Sequence, residues 1–158
     1  MHFNRIGKVI INARIIATDI SSYALQVAQK NIRHHQVEHN IRLVQTNLLK
    51  SIQEKFHIIL ANLPYIPTKK LSKLAVLNYE PRLALDGGKD GLVFIKKLIH
   101  GIHRKLHAKS VIILEIEHTQ TSGIIKICKQ LLPSASCTII NDLAGLPRTA
   151  VIKMDGQK

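Results

Sequence analysis

Tryptophan is absent from the 158-residue sequence, and tyrosine and phenylalanine occur only three times each. So sparse an aromatic supply offers few stacking platforms of the kind that bind single-stranded nucleic acid. The two cysteines, Cys128 and Cys137, are too few and too isolated for a zinc site or a disulfide framework, and they fit a reduced, cytoplasmic setting. No apolar run reads as a signal peptide or a spanning helix. Lys8 and Arg14 interrupt the N-terminal one, and no small-residue cleavage site follows it. Internal repeats and low-complexity tracts are missing too, and no metal site is expected. Acids are scarce: 10 Asp and Glu stand against 23 Lys and Arg, a formal net charge of +13. That excess suits a polyanionic neighbour such as RNA or the ribosome. The basic residues are scattered rather than blocked, so solvated lysines account for the charge equally well.

What is present is an aliphatic chain, 46% apolar, long enough for one domain with a real core. Residues 1–11 place Phe3, Ile6 and Ile10 at helical spacing, and Asn12 can end that helix. Ala13 to Asp19 reads as a short buried strand ending in a carboxylate. Ser21 or Ser22 can cap a helix with Ala24, Leu25, Ala28 and Ile32 on one face. Ile41 to Gln45 is a second strand, followed by a loop at Asn47-Leu48-Leu49, and Phe56 to Ala61 a third. Residues 62–90 hold no long periodic segment but much Pro and Gly, and so long a connection is usually functional. Helical spacing returns from Leu92 to Leu106. Val111 to Ile116 is a strand, Thr119 to Leu132 a helix stopped by Pro133, and Cys137–Ile140 and Thr149–Met154 two closing strands. The alternation predicts an α/β doubly wound domain. The last two strands lie too close for a crossover helix, so at least one must be antiparallel.

The most informative stretch is Ile58-Ile59-Leu60-Ala61-Asn62-Leu63-Pro64-Tyr65, an apolar strand ending in an amide, a proline and a ring. Open α/β sheets bind ligands at the carboxyl ends of their strands. The Asn62 side-chain oxygen and the Leu63 carbonyl can together accept both hydrogens of one planar NH2 group. Tyr65 can pack on that group and exclude water. Such a site activates a poor nucleophile by positioning it. Taken alone, Asn-x-Pro is also ordinary turn vocabulary. Asp19, at the end of its strand, can accept from a ribose diol, or can serve as favourable charge at the next helix N-terminus. His100, His103 and His107 share a face if their segment is helical, but no carboxylate accompanies them, which points to a solvated face. Glu115 and Glu117 fall on one face of a strand and could pair as acid and base, though a structural or solvent-facing pair of strand-end acids beside a cofactor pocket is the readier reading. Gly87-Gly88 with Gly91 lacks the setting of a phosphate cradle and reads as a sharp turn.

In order along the chain come Asp19-Ile20-Ser21, Asn62-Leu63-Pro64-Tyr65-Ile66, the stretch from Glu80-Pro81-Arg82 through Gly87-Gly88-Lys89-Asp90-Gly91-Leu92, Leu114-Glu115-Ile116, and Asp142-Leu143-Ala144-Gly145-Leu146-Pro147-Arg148. Together they resemble the HemK/PrmC family of S-adenosylmethionine-dependent enzymes, which methylate the glutamine of the GGQ motif in peptide chain release factors. The NPPY-type motif is shared with other N-methyltransferases, including adenine N6 enzymes; the stretch over residues 80–92 is the more specific one.

The resemblance implies a Rossmann-like class I methyltransferase sheet, helices on both faces, with an antiparallel C-terminal strand. It implies that Asp19 and Ile20 hold the cofactor ribose, that Asn47 and Leu48 lie against the adenine, and that Asn62 touches cofactor and substrate. It further implies that Asn62, Leu63, Pro64 and Tyr65 receive the glutamine amide, while Glu80 and Pro81 begin the wall that admits a peptide loop. Leu63 stands where the family has its first proline, which restores an N–H and frees φ. Asn47 stands where an acid is usual, so its acceptor lacks charge assistance. By the same resemblance a first strand, its Gly-rich loop and a small helical domain belong before residue 1, making 1–158 a partial methyltransferase domain. Ala13–Asp19 and Phe56–Ala61 then each lack a neighbour, at roughly 1–3 kcal/mol per buried unpaired backbone group. The sheet must close across that gap or borrow a strand. Two other functions share these features: a catalytically inactive RNA- or ribosome-associated module, and an adenine N6-methyltransferase of nucleic acid.

Overall fold

A computed structural model describes residues 13–72 and 74–155. The helix expected over residues 1–11, and Asn12 as its end, lie outside the described residues. The chain divides into two compact units, Met1–Ile52 and Gln53–Lys158.

In the first unit, β1 (Ile15–Asp19) pairs in parallel with β2 (Ile41–Gln45), Ile15 opposite Ile41 and Asp19 opposite Gln45. Between them runs α1 (Ser22–His34). Ser21 caps it, its hydroxyl accepting from the Ala24 N–H at 3.2 Å. The helix ends in Arg33 and His34, cations that complement its C-terminal dipole. Ala17, Ile32, Val37 and Ile41 form the core, with Ile15 and Leu43 packed against it.

The second unit is built on four strands in the order β3-β4-β6-β5: β3 (Phe56–Ala61), β4 (Leu106–Glu115), β5 (Ala135–Asn141) and β6 (Pro147–Met154). β3 and β4 are parallel, and β6 runs antiparallel to both its neighbours, as the short β5–β6 connection requires. α4 (Val93–Gly101) and α5 (Thr121–Leu131) bury Ile95, Leu98, Ile99, Ile124, Ile127 and Cys128, while Ile112, Leu114 and Ile152 fill the sheet interior. Two one-turn helices, α2 (Thr68–Leu71) and α3 (Arg82–Leu85), lie in the long connection after β3.

Several expectations are corrected. The helix from Leu92 ends at Gly101, a residue of poor helix propensity, and a 3-10 turn at His103–Lys105 leads directly into β4. β4 therefore starts at Leu106, five residues before the expected Val111, and its pairing with β3 is irregular between Phe56 and Ile58. His100, His103 and His107 consequently share no helix face. His107 stacks on His57 of β3 with ring centroids 4.0 Å apart, and the His103 ring nitrogen bonds the Leu131 carbonyl at 2.8 Å. The sheet also does not close across the expected gap: among the described residues β1 pairs only with β2, and β3 only with β4.

Candidate active site

Four segments of the second unit meet where β3 and β4 end. β3 delivers Ala61 to the tip of the sheet, and Pro64, which has no N–H to offer a ladder, turns the chain away. The following residues fold against the 85–93 loop. Ile66 donates to the Leu85 carbonyl at 3.0 Å, and Gly87 donates back to the Ile66 carbonyl at 2.8 Å, making a parallel bridge. Asp86 fixes the loop's start: its carboxylate accepts from the Thr68 hydroxyl at 2.6 Å and the Gly88 N–H at 3.0 Å and pairs with Arg82. Those hydrogen bonds, with Thr68 first, hold its pKa below the usual carboxylate value. Asp90 accepts from the Leu92 N–H and pairs with Lys96 at 2.7 Å, closing the loop onto α4.

Glycine is required here by contact as well as by backbone angle. Gly91 has φ 74°, and a Cβ there would overlap the Tyr65 carbonyl oxygen and Gln120 Nε2. At Gly87 a Cβ would come within 2.8 Å of the Pro64 carbonyl oxygen. The Gly-rich loop is thus a close-packed clamp on the backbone of residues 64–65.

Tyr65 is half-buried, and its hydroxyl donates to Glu115 Oε1 at 3.2 Å. Burial, and then the Glu115 charge and hydrogen bond, raise the phenol's pKa, while Arg148 opposes them. Arg148 also reaches Asp142 at 3.5 Å, and its carbonyl accepts from the Ile116 N–H at 2.9 Å, tying β6 to the end of β4. Within this web Asn62 is exposed, and its carboxamide makes no hydrogen bond among the described residues; the Leu63 carbonyl accepts none there either. Two acceptors are thus open in the segment that leads to Tyr65, whose hydroxyl is held by Glu115.

The expected pairing of Glu115 with Glu117 is not found. Glu115 is the last residue of β4, whereas Glu117 lies beyond it and caps a 3-10 turn. Glu117 pairs with Lys70 at 3.6 Å and His118 at 3.3 Å and accepts from the Thr119 hydroxyl. Burial raises its pKa, but Thr119, Lys70 and His118 together more than offset that and leave it lowered. Glu80 and Pro81 are exposed, and no hydrogen bond links them to residues 62–65.

Sequence reasoning missed Gln120. It is 4% exposed, and its side-chain NH2 donates to the Tyr65 carbonyl at 2.9 Å and the Gly91 carbonyl at 3.1 Å. Its Oε1 accepts from the Glu117 N–H at 2.9 Å. The sequence signal was the capping-box spacing of Glu117 and Gln120 just before an apolar helix.

Asp19, Ile20, Asn47 and Leu48 belong to the first unit. Asp19 ends β1 and is exposed; Oδ1 accepts from the Ser21 N–H at 2.8 Å, while Oδ2 has no hydrogen bond among the described residues. Ile20 is 48% exposed, and its carbonyl accepts from Gln45 Nε2. After β2, Thr46 folds the loop by accepting from the Ser51 N–H, leaving Asn47 exposed and Leu48 at φ 54°.

The family profile described as Methyltransferase small domain matches residues 6–82. The release factor glutamine methyltransferase of Moorella thermoacetica is 37% identical over 138 residues, covering 86% of this chain and 49% of that protein. The chain is similar in sequence to the glutamine methyltransferases of the HemK/PrmC family. A second member-like relative, the ribosomal protein uL3 glutamine methyltransferase of Francisella tularensis, is 32% identical over 127 residues, covering 79% of this chain and 40% of that protein. The chain thus spans about half the length, or less, of these two curated relatives. A methyltransferase from Pyrococcus furiosus superposes with a TM-score of 0.71 at 21% identity, over 98% of this chain and 69% of that one. The fold is accordingly the Rossmann-like class I methyltransferase fold. S-adenosylmethionine is the methyl donor of HemK/PrmC enzymes. Asp19 fits its ribose end, since a strand-end carboxylate with one oxygen uncommitted is the acceptor a diol needs. Among the described residues no helix is long and apolar enough to cross a membrane.

Proposed function

We propose that this chain carries the amide-holding part of a protein-glutamine N-methyltransferase, whose substrate is the GGQ glutamine of a peptide chain release factor. The observation that carries this reading is the pair of open acceptors, Asn62 and the Leu63 carbonyl, beside a Tyr65 ring held by Glu115. A carboxamide nitrogen is a poor nucleophile because its lone pair is shared with the carbonyl. Two acceptors that take both of its hydrogens fix the nitrogen and turn its π face toward an electrophile, and near-contact positioning is worth many powers of ten in rate. Tyr65 covers the planar group and keeps water away. S-adenosylmethionine, when bound, would supply an electrophilic methyl group; Asn62 and the Leu63 carbonyl would hold the amide nitrogen facing it, and the amide's surplus proton would pass to solvent. Asp19 and Ile20 would hold the ribose, and Asn47 and Leu48 would line the adenine. Glu80 and Pro81 would begin the wall on the peptide side.

The relatives' names support a glutamine acceptor, and residues 80–92 favour it over a nucleobase. The experiment offers the chain labelled S-adenosylmethionine with a Gly-Gly-Gln peptide, an intact release factor and RNA in parallel. Label on the glutamine side chain is the expected result. Label on RNA adenine would replace this reading with nucleic-acid methylation; steeply salt-dependent RNA binding without any transfer would replace it with a binding module.

A further inference from the structure

We propose that Gln120 is a positioning residue for the amide acceptors: its buried carboxamide locks the Tyr65 carbonyl and the Gly91 carbonyl together, and so sets the direction in which Asn62 and the Leu63 carbonyl face. This rests on the reading of residues 62–65 as an amide site. Gln120 is 4% exposed, and all three of its polar bonds are made inside the protein, two donated to different loops and one accepted from Glu117. A side chain needed only to cap a 3-10 turn would use its oxygen on the Glu117 N–H and leave its nitrogen to water. Here the nitrogen spans two loops, and beside it the Lys70–Glu117 ion pair is the side-chain link from the connection after β3 to this turn. Glycine at 91 is what lets the carbonyls converge on it, since a Cβ at that position would fill the space that Gln120 Nε2 and the Tyr65 carbonyl occupy.

The consequence for Leu63 is direct. Leu63 stands where proline would fix φ, so its carbonyl direction is not set by its own ring. Pro64 restricts the Leu63 backbone to the extended region, and the peptide units of residues 64–65 are held at three points: the Pro64 carbonyl against Gly87, the Tyr65 carbonyl by Gln120 and the Ile66 N–H by the Leu85 carbonyl. With the Gln120 bond broken, the Tyr65 carbonyl loses its side-chain donor, and the Ile66 N–H bond to the Leu85 carbonyl is left to orient that peptide unit.

The test measures binding of a Gly-Gly-Gln peptide and a Gly-Gly-Glu peptide by NMR titration of the full chain, its Gln120→Leu and Gln120→Glu variants, with circular dichroism to confirm that each is folded. The wild-type chain is expected to prefer the glutamine peptide at all pH values between about 5 and 8, and Gln120→Leu to lose roughly tenfold of that preference, as for the loss of one buried hydrogen bond. Gln120→Glu supplies the readout that a merely structural role would not move. Its carboxyl faces two carbonyls in a buried site, so its pKa is raised. Protonated it donates one hydrogen bond where the amide donated two, enough to hold one of the two carbonyls, and ionised it repels both. Glutamine-peptide affinity in that variant is therefore expected to recover as pH falls, while Gln120→Leu stays low throughout. A wild-type chain that prefers glutamine, with Gln120→Leu keeping the preference or Gln120→Glu showing no recovery, overturns the role of Gln120 alone. A wild-type chain with no preference overturns the amide-site reading and the positioning role with it.

Discussion

The two units solve the same problem with very different redundancy. In the first, two strands and one helix enclose a core of four buried residues, and the carboxylate of the candidate ribose ligand Asp19 makes one bond among the described residues, from the Ser21 N–H. In the second, four strands and two longer helices bury a continuous aliphatic interior, and every loop around Asn62 is fixed by at least two contacts. A strand pair gains independent stability only once a helix packs on it, as α1 does here, whereas a four-stranded sheet packed by helices has more buried area in reserve. The amide side can therefore be rigid on its own, whereas the ribose side has little local stability to spare.

Core truncation gives the largest contrast. Ile112→Ala, at a fully buried position in β4, should cost about 2–5 kcal/mol and lower the denaturant midpoint of the whole second unit. Ile32→Ala should instead speed amide exchange over residues 15–45 and leave β3 to β6 protected. Equal loss of protection in both units from either variant would mean that they unfold as one, and the contrast would be gone.

Next come the glycines, which separate backbone strain from crowding. Gly145 has φ 78° with open space around it, so Gly145→Ala should cost roughly 1 kcal/mol for the left-handed backbone alone. Gly91→Ala should add roughly 1–3 kcal/mol of overpacking against the Tyr65 carbonyl. Urea unfolding of the pair measures the difference, and matching losses would remove the clamp from the account.

Ser21→Ala should cost about 1 kcal/mol, read as lost helicity of α1 with β4 to β6 unaffected. The smallest effect is one of pH. The Thr68 hydroxyl and then the Gly88 N–H hold the Asp86 pKa below the ordinary carboxylate value in the folded chain. A carboxylate with a depressed folded pKa stabilises above its unfolded pKa and loses that contribution as pH falls through the folded one. Acid weakening of the 85–93 loop should therefore appear below about pH 3.8 and be absent in Asp86→Asn, by exchange of the Gly88 amide.

Strand identity was legible because β-branched runs bounded by turn residues leave no alternative: β2 and β3 begin and end at the expected Ile41, Gln45, Phe56 and Ala61. That at least one of the last two strands runs antiparallel followed from connection length, and β6 is the one that does. The start of β4 was not legible, because His107, Ala108 and Lys109 carry no apolar alternation and the helical pattern before them runs on past the real stop at Gly101. Asn62 and Tyr65 could be singled out by residue type. Gln120 could not, since its role lies in two carbonyls contributed by segments 29 and 55 residues away. Glu117 was misread for a related reason: period-two spacing was extended past the last residue of the strand.

The central claim is that Asn62 and the Leu63 carbonyl form an open acceptor pair for a primary amide. It is tested most directly by following the Asn62 side-chain NH2 resonances while a Gly-Gly-Gln or a Gly-Gly-Glu peptide is added. The account predicts saturable shifts of Asn62 and Tyr65 with the glutamine peptide and none with the glutamate peptide. Equal responses to both peptides, or shifts confined to residues outside 62–65, would contradict it.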